Sequence, residues 1–242
     1  LVKFVLNRAD LITCDADHMI DVMVKLEVEH NKIKLINFGV DTNKFYPNKQ
    51  KNSLKYKLGI ANSPVIISLR MLEPLYDVGT LIKAVPHVLE KIRSITILIA
   101  GTGPQEEELK KMATSLGVRE SIKFVGFISN DELSQYLNIA DVYVSTSTSD
   151  AGIACSTAEA MSCGLPVITT DFGANGDWII DGKGGFLVPI KNPKMLAEKI
   201  IYLVNNPEKS KRFGQMNKSI IKERNDYFIE MKKMEDWYFK LI

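Results

Sequence analysis

The residues best placed to do chemistry fall in one run, Ser145 to Asp171. An apolar strand, Val142–Ser145, enters a loop of small polar residues, Thr146 to Cys155, and that loop opens a helix, Ser156–Ser162, carrying one carboxylate, Glu159. The helix stops at Gly164, and Val167–Thr170 begins a new strand. Small residues over 151–156 leave backbone N–H groups open to an anion, and the helix dipole favours negative charge at that end. Gly152, Ile153, Ala154, Ser156 and Thr157 are therefore candidate phosphate contacts. Glu159, about one turn further on, would repel a phosphate. Its carboxylate can instead accept two hydrogen bonds from vicinal hydroxyls such as those of ribose. A phosphate with a polyol beside it is the shape of a nucleotide-sugar. The plain alternative for Glu159 is a capping box with Ser156 as N-cap.

Three other loops could add to this site. Arg70 ends the strand Val65–Leu69 and could fork onto a diphosphate, unless it forms a surface ion pair with Glu73. Gly101-Thr-Gly103-Pro104 follows a strand and precedes a helix; its glycines permit a tight turn and close backbone approach. It lacks the third glycine of a dinucleotide fingerprint and the lysine of a P-loop. Gly126 permits a sharp exit from Ile122–Val125, after which Phe127 and Ile128 could face a flat base; a packed turn is the alternative. Cys155 and Cys163 have no histidine near them in sequence and read as small buried residues. His18, His30 and His87 are scattered, with no HExxH or CxxC spacing, so no protein-ligated metal is expected.

The elements that must position these loops are short apolar strands alternating with amphipathic helices. Beyond the strands already named, Ile95–Ala100 and Gly185–Val188 read as strands. Val78–Lys91, Gln105–Leu116, Asn130–Ile139 (Asn130 as N-cap), Met195–Asn205 and Glu208 onward read as helices. This pattern predicts an α/β fold, a Rossmann-like parallel sheet with helices on both faces and ligands beyond the carboxyl ends of the strands. Ahead of it, Val2–Ala9 reads as a helix, Leu11–Thr13 as a strand, Ala16–Leu26 as a helix capped by Asp15, and Lys34–Asn37 as a strand. The polar segment Thr42–Ser53 reads as a linker, giving residues 1–43 as one unit, 44–223 as the nucleotide-sugar-binding domain and 224–242 as a final packing helix.

The 242 residues are 45% hydrophobic and 25% charged, with a net charge of +2, so nucleic acid is not the default partner. Three cysteines fit a reducing compartment better than a disulfide framework. No apolar run approaches the length of a membrane span, and no internal repeat is evident. The sequence opens at Leu1 in what reads as mid-helix, which predicts a piece of a longer protein.

The order of the motifs resembles the donor-binding half of retaining glycosyltransferases of the GT-B fold, the large "group 1" family. The matching residues are Asn37-Phe-Gly-Val-Asp41 with Phe45 and Pro47, Ser68-Leu-Arg70, Gly101-Thr-Gly-Pro104, Phe124-Val-Gly126, Ala140-Asp141, Glu159-Ala-Met-Ser-Cys-Gly-Leu-Pro-Val167 and Asp181 to Pro189. The resemblance implies the C-terminal half of a GT-B fold, with residues 1–43 a remnant of the acceptor domain and the helix around Trp237 crossing back to it. It implies Glu159 as the ribose contact and Arg70 as the diphosphate contact. A second glutamate of the family stands eight residues before the first; here that position is Ala151, with Asp150 one residue beyond it. The family's lysine after the arginine is Leu75, and its Gly-Gly-x-Pro-Glu loop is Gly173-Ala-Asn-Gly-Asp177.

The implied activity is transfer of a sugar from a nucleotide-diphosphate donor to an acceptor with retention, needing no metal and no further cofactor. Arg70, Asp150 and Glu159 would act on the donor, and Gly101, Gly103, Gly126, Phe127, Ile128 and the 152–157 loop would hold it. The acceptor, a sugar, a lipid-linked molecule or another small molecule, would bind an N-terminal domain, so this chain by itself is expected to be inactive. A cytoplasmic protein, at the inner face of the membrane if its acceptor is lipid-linked, is the implied location. The rival readings are an epimerase of the UDP-sugar 2-epimerase kind and a degenerate donor domain serving as a binding or assembly module. Base, sugar, acceptor, pathway and oligomeric state are not encoded in any motif.

Overall fold

Runs of β-branched residues form the centre of the molecule. The computed structural model describes residues 1–48, 52–60, 63–150 and 152–241. β3 (Val65–Leu69), β4 (Thr96–Ala100), β5 (Ile122–Gly126), β6 (Val142–Ser145), β7 (Val167–Thr170) and β8 (Gly185–Val188) make one six-stranded sheet in the order β5-β4-β3-β6-β7-β8. Every pairing is parallel. The strands are apolar on both sides because helices cover both faces. Ile66, Ile97, Val144 and Ile168 point to one core, filled by α4 (Val78–Leu89), α5 (Glu106–Ser115) and α9 (Pro193–Asn205). Ile67, Leu98, Tyr143 and Val167 point to the other, filled mainly by α6 (Asn130–Ile139), α7 (Cys155–Ser162) and α10 (Pro207–Arg224). The alternation along each strand assigns the two faces.

Two topological facts position the site. The chain winds outward from β3 to β5, then returns to the other side of β3 as β6. The crevice at such a reversal lies between the loops that follow β3 and β6, and there the sheet accepts ligands. The second is the exit of α7. Gly164 takes φ +75°, and the N–H groups of Gly164 and Leu165 donate to Met161 O at 2.9 Å and Ala160 O at 3.1 Å. That is a glycine C-terminal cap. A Cβ built on Gly214 would lie 1.8 Å from Gly164 O, so α10 packs backbone against backbone on this exit.

Residues 1–40 add α1 (Val2–Arg8), β1 (Ile12–Cys14), α2 (Asp17–Lys25) and β2 (Ile33–Leu35). β1 and β2 pair in parallel over a small core of Cys14, Met23, Val28 and Ile33. The last helix, α11 (Tyr227–Leu241), returns to this unit. The Asn37 N–H donates to buried Glu230 at 2.9 Å, Val40 N–H donates to Asn225 O at 2.7 Å, and Lys34 sits 4.3 Å over the Trp237 ring.

Several expected details differ. Ala16, not Asp15, precedes α2 in the cap position, and Ser129, not Asn130, precedes α6. The final helix starts at Tyr227 and not at Arg224; in the break before it the Asn225 side chain accepts the Gly39 N–H at 3.0 Å. α11 packs less than its apolar composition suggests: Phe228, Ile229, Tyr238 and Phe239 are exposed. Two short helices, α3 (Asn52–Lys57) and α8 (Asn175–Trp178), were too short to show a period in the sequence.

Candidate functional site

Arg70 leaves β3 at the crevice, and the glycine turn after β4 fixes its backbone. Gly101 has φ +127°, and a Cβ there would lie 2.2 Å from Arg70 O; one on Gly103 would lie 2.4 Å from Leu72 O. Only glycine allows this approach. The Arg70 guanidinium lies 4.5 Å over the Tyr76 ring, and its Nη2 donates to the Asp150 carboxylate. Both side chains are nearly buried, at 8% and 11% exposure. Glu73 is not the partner of Arg70; the pairing reaches across the switch point to the loop after β6 instead. Arg70 Nε is buried with no partner among the described residues. A buried donor left open beside a cavity is what an anion would satisfy.

The hydroxyls of the serine- and threonine-rich loop tie it mainly to the loop at Leu75–Asp77. Thr146 donates to Tyr76 O at 3.1 Å and Asp77 O at 2.9 Å, Ser147 donates to Ser149 O at 3.0 Å, and Thr148 donates to Leu75 O at 3.0 Å. Thr170 donates to Ser147 O at 2.6 Å. These bonds hold the Tyr76 and Asp150 loops together.

Beyond the loop, Ala154 precedes α7 with no side-chain cap. Ser156 is therefore not an N-cap: its hydroxyl shares a 2.8 Å hydrogen bond with Tyr143 Oη. Thr157 is buried, donates to the same oxygen at 3.4 Å, and has its N–H on Ala154 O at 2.9 Å. Burial pushes the Tyr143 phenol up from its ordinary value. The first-turn amides, at Cys155 and Ser156, have no partner inside a helix. Ile153 belongs to the core, and Gly152 presses on the small unit: a Cβ there would lie 2.4 Å from Asp15 Oδ2. Ala151, where the family has a glutamate, lies outside the described residues.

Arg70, Met71, Gly101, Phe127, Ile128 and Ser156 line a cavity of about 200 Å³. Gly126, at φ +69°, turns the chain so that Phe127 stands 78% exposed at its mouth. Glu159 follows Ser156 by one turn on the same side of α7. Burial pushes its carboxyl up to about 7, against the opposing charge of Lys44. No hydrogen bond engages it among the described residues. A larger cavity of about 560 Å³ around Pro64, Asp141, Leu165 and Pro207 lies at the amino ends of the strands, away from these groups.

So the fold brings Arg70, Gly101, Phe127, Ile128 and Ser156 to one cavity, with Asp150 on the Arg70 guanidinium and Glu159 one turn beyond Ser156 on α7; Gly103 packs on Leu72, and Ile153 and Thr157 are buried. Cys155 is exposed and not buried as expected; partial loss of water around its sulfur, then the charge of Glu159, push its thiol up, which disfavours the nucleophilic thiolate. Tyr143, bonded to Ser156, and Lys44, whose charge acts on Glu159, join these residues without any local sequence signal. The arrangement offers a cation and helix amides for a diphosphate, a carboxylate for hydroxyls and an apolar wall for a ring.

Comparison with known proteins agrees with this reading of the fold. A mannosyltransferase of Mycolicibacterium smegmatis, a GDP-mannose-dependent alpha-(1-6)-phosphatidylinositol monomannoside mannosyltransferase, is 28% identical over 183 residues, covering 73% of this chain and 48% of that protein. Spore coat protein SA of Bacillus subtilis is 25% identical over 201 residues, covering 78% and 53%. The chain thus spans about half the length of these relatives. The structure of Anabaena Alr3699/HepE in complex with UDP and glucose superposes with a TM-score of 0.88 at 22% identity, covering 99% of this chain and 66% of that one. The family model for glycosyl transferases group 1 matches residues 50–219, more than half of the sequence and all of the six-stranded sheet, and the chain belongs to that family.

Proposed function

We propose that this chain is the donor-binding half of a glycosyltransferase that takes a sugar from a nucleotide diphosphate and passes it, with retention, to an acceptor on a further domain. The observation that carries the reading is the meeting of Arg70 and the first turn of α7 at the switch point, beside a cavity walled by Phe127 and Ile128. The base lies against that wall and the ribose hydroxyls on Glu159. The diphosphate crosses from Arg70 to the amides of Cys155 and Ser156. In transfer, the acceptor hydroxyl approaches the anomeric carbon from the face the diphosphate leaves. Arg70 and the amides take up the charge on the departing diphosphate, and they are already oriented when it develops. Asp150 holds the guanidinium in place for this. The group held in the crevice is a substrate, and the reading calls for no cofactor.

The M. smegmatis relative acts, by its name, on a phosphatidylinositol monomannoside. A lipid-linked acceptor at the inner face of the membrane is proposed for the whole protein on that ground. No described helix is long and apolar enough to cross a membrane. Calorimetric titration with UDP and GDP tests the donor site. One of them is expected to bind in the micromolar range, and Glu159→Ala to weaken it by about ten- to hundred-fold, the worth of hydrogen bonds to a charged group. Binding no tighter than millimolar for both, or a Glu159→Ala variant that binds as before, would refute the assignment.

A further inference from the structure

Lys44 is a half-buried cation that the proposed function has not used. The chain on both sides fixes its place. The Asp41 carboxylate accepts the N–H groups of Asn43 at 2.9 Å and Lys44 at 3.3 Å and so closes the turn that carries the lysine. Phe45 then enters the core that α6 and α7 fill. From there the chain is tied to both helices. Phe45 O accepts from Ser162 on α7 at 2.5 Å, while Asn138 on α6 donates to Tyr46 O at 3.0 Å and accepts the Asn48 N–H at 2.6 Å.

Lys44 thus stands between a carboxylate on each helix. Its Nζ pairs at 3.2 Å with Asp131, in the first turn of α6. On the other side, Glu159 precedes Ser162 by three residues, a spacing that makes them neighbours on one side of α7. Lys44 is the one charge among the described residues that acts on Glu159. The remaining ionisable neighbour, Cys155 one turn back on α7, is kept a neutral thiol by loss of water and then by Glu159. The two carboxylates are unequal partners for the lysine. Asp131 is 95% exposed, so water and salt screen its ion pair and hold Lys44 weakly. Glu159 is partly shielded from water and has no hydrogen bond among the described residues, so a cation counts for more there. Both carboxylates also border the proposed nucleotide site: α6 follows the Phe127–Ile128 wall, and α7 carries Glu159 one turn beyond Ser156.

We infer that Lys44 is a positioning residue for the donor: it supplies the positive charge against which Glu159 presents an ionised carboxylate to the ribose hydroxyls. This rests on the donor-site reading above and adds to it the group that makes the ribose contact available near neutral pH. As the nucleotide excludes water from Glu159, Lys44 turns from Asp131 toward Glu159. The lysine acts through that carboxylate and touches no part of the ligand.

The test uses the 242-residue chain with Lys44→Met, Asp131→Asn and Glu159→Gln, alone and combined. Urea denaturation from pH 4 to pH 9 reads the empty chain. The stability gained from Glu159→Gln should level off about half to one pH unit higher in the Lys44→Met background than in the unaltered one. Asp131→Asn breaks the same ion pair but keeps the cation, so it should leave the level-off point in place or lower it. Calorimetry with UDP and GDP reads the complex. Lys44→Met should weaken the nucleotide of the accepted base by about two- to five-fold at pH 7, the fraction of carboxylate lost by such a shift, and by less than about two-fold at pH 9. In the Glu159→Gln background it should cost nothing further. A level-off point that Lys44→Met does not move, or a loss of affinity that persists alongside Glu159→Gln, would overturn the inference and leave the donor site standing. A chain that binds neither nucleotide would refute the donor site itself, and the ribose role of Lys44 with it.

Discussion

Glu159→Gln is expected to make the empty chain more stable, by an amount that grows with pH. Burial raises the Glu159 carboxyl from 4.5 to about 7, so the folded chain holds this proton more tightly than the unfolded chain. Stability therefore falls as pH rises between those two values and levels off above the higher one. At about 1.36 kcal/mol per pH unit the accumulated penalty is about 3 kcal/mol. Glutamine has the same shape and no charge, so it escapes the penalty. Urea denaturation of both proteins at half-unit steps from pH 4 to pH 8.5 gives the difference in stability, in which all other titrations cancel. That difference should be near zero at pH 4, reach about 3 kcal/mol near pH 7 and stay flat beyond. A difference independent of pH would show that Glu159 ionises as in water, and the desolvated site would have to be abandoned. The same proton has a functional consequence. Ribose hydroxyls favour the ionised carboxylate, so nucleotide binding should release about half a proton at pH 7 and almost none at pH 8.5. Calorimetry in buffers of different ionisation enthalpy reads this directly, and proton uptake would contradict the ribose assignment.

The Arg70–Asp150 pair is nearly buried, so breaking it leaves an uncompensated charge. Arg70→Met and Asp150→Asn should each cost about 3 kcal/mol in urea denaturation, and the double variant little more than either alone; strictly additive losses would mean that the two side chains do not depend on each other. Gly214→Ala should lower stability by about 2–3 kcal/mol, because the new methyl would need the space of Gly164 O. An unshifted urea midpoint would show that α7 and α10 are not held backbone to backbone.

What the sequence made legible is what local chemistry decides. β3, β6, β7 and β8 fall within the bounds expected from their β-branched runs, and Gly164 ends α7 as a left-handed cap should. Arg70 and Glu159 were legible as types because an arginine at a strand end and a carboxylate one turn into a helix can be read from neighbouring residues. Their partners could not. Asp150 is 80 residues from Arg70 and is brought to it by the reversal of strand order, which no window of sequence contains. Ser156 looked like a cap because its type and its spacing to Glu159 fit a capping box; Tyr143, on a strand beneath, competes for the same hydroxyl and wins it. The proton affinity of Glu159 was invisible for a similar reason, since it depends on how deeply α7 is buried.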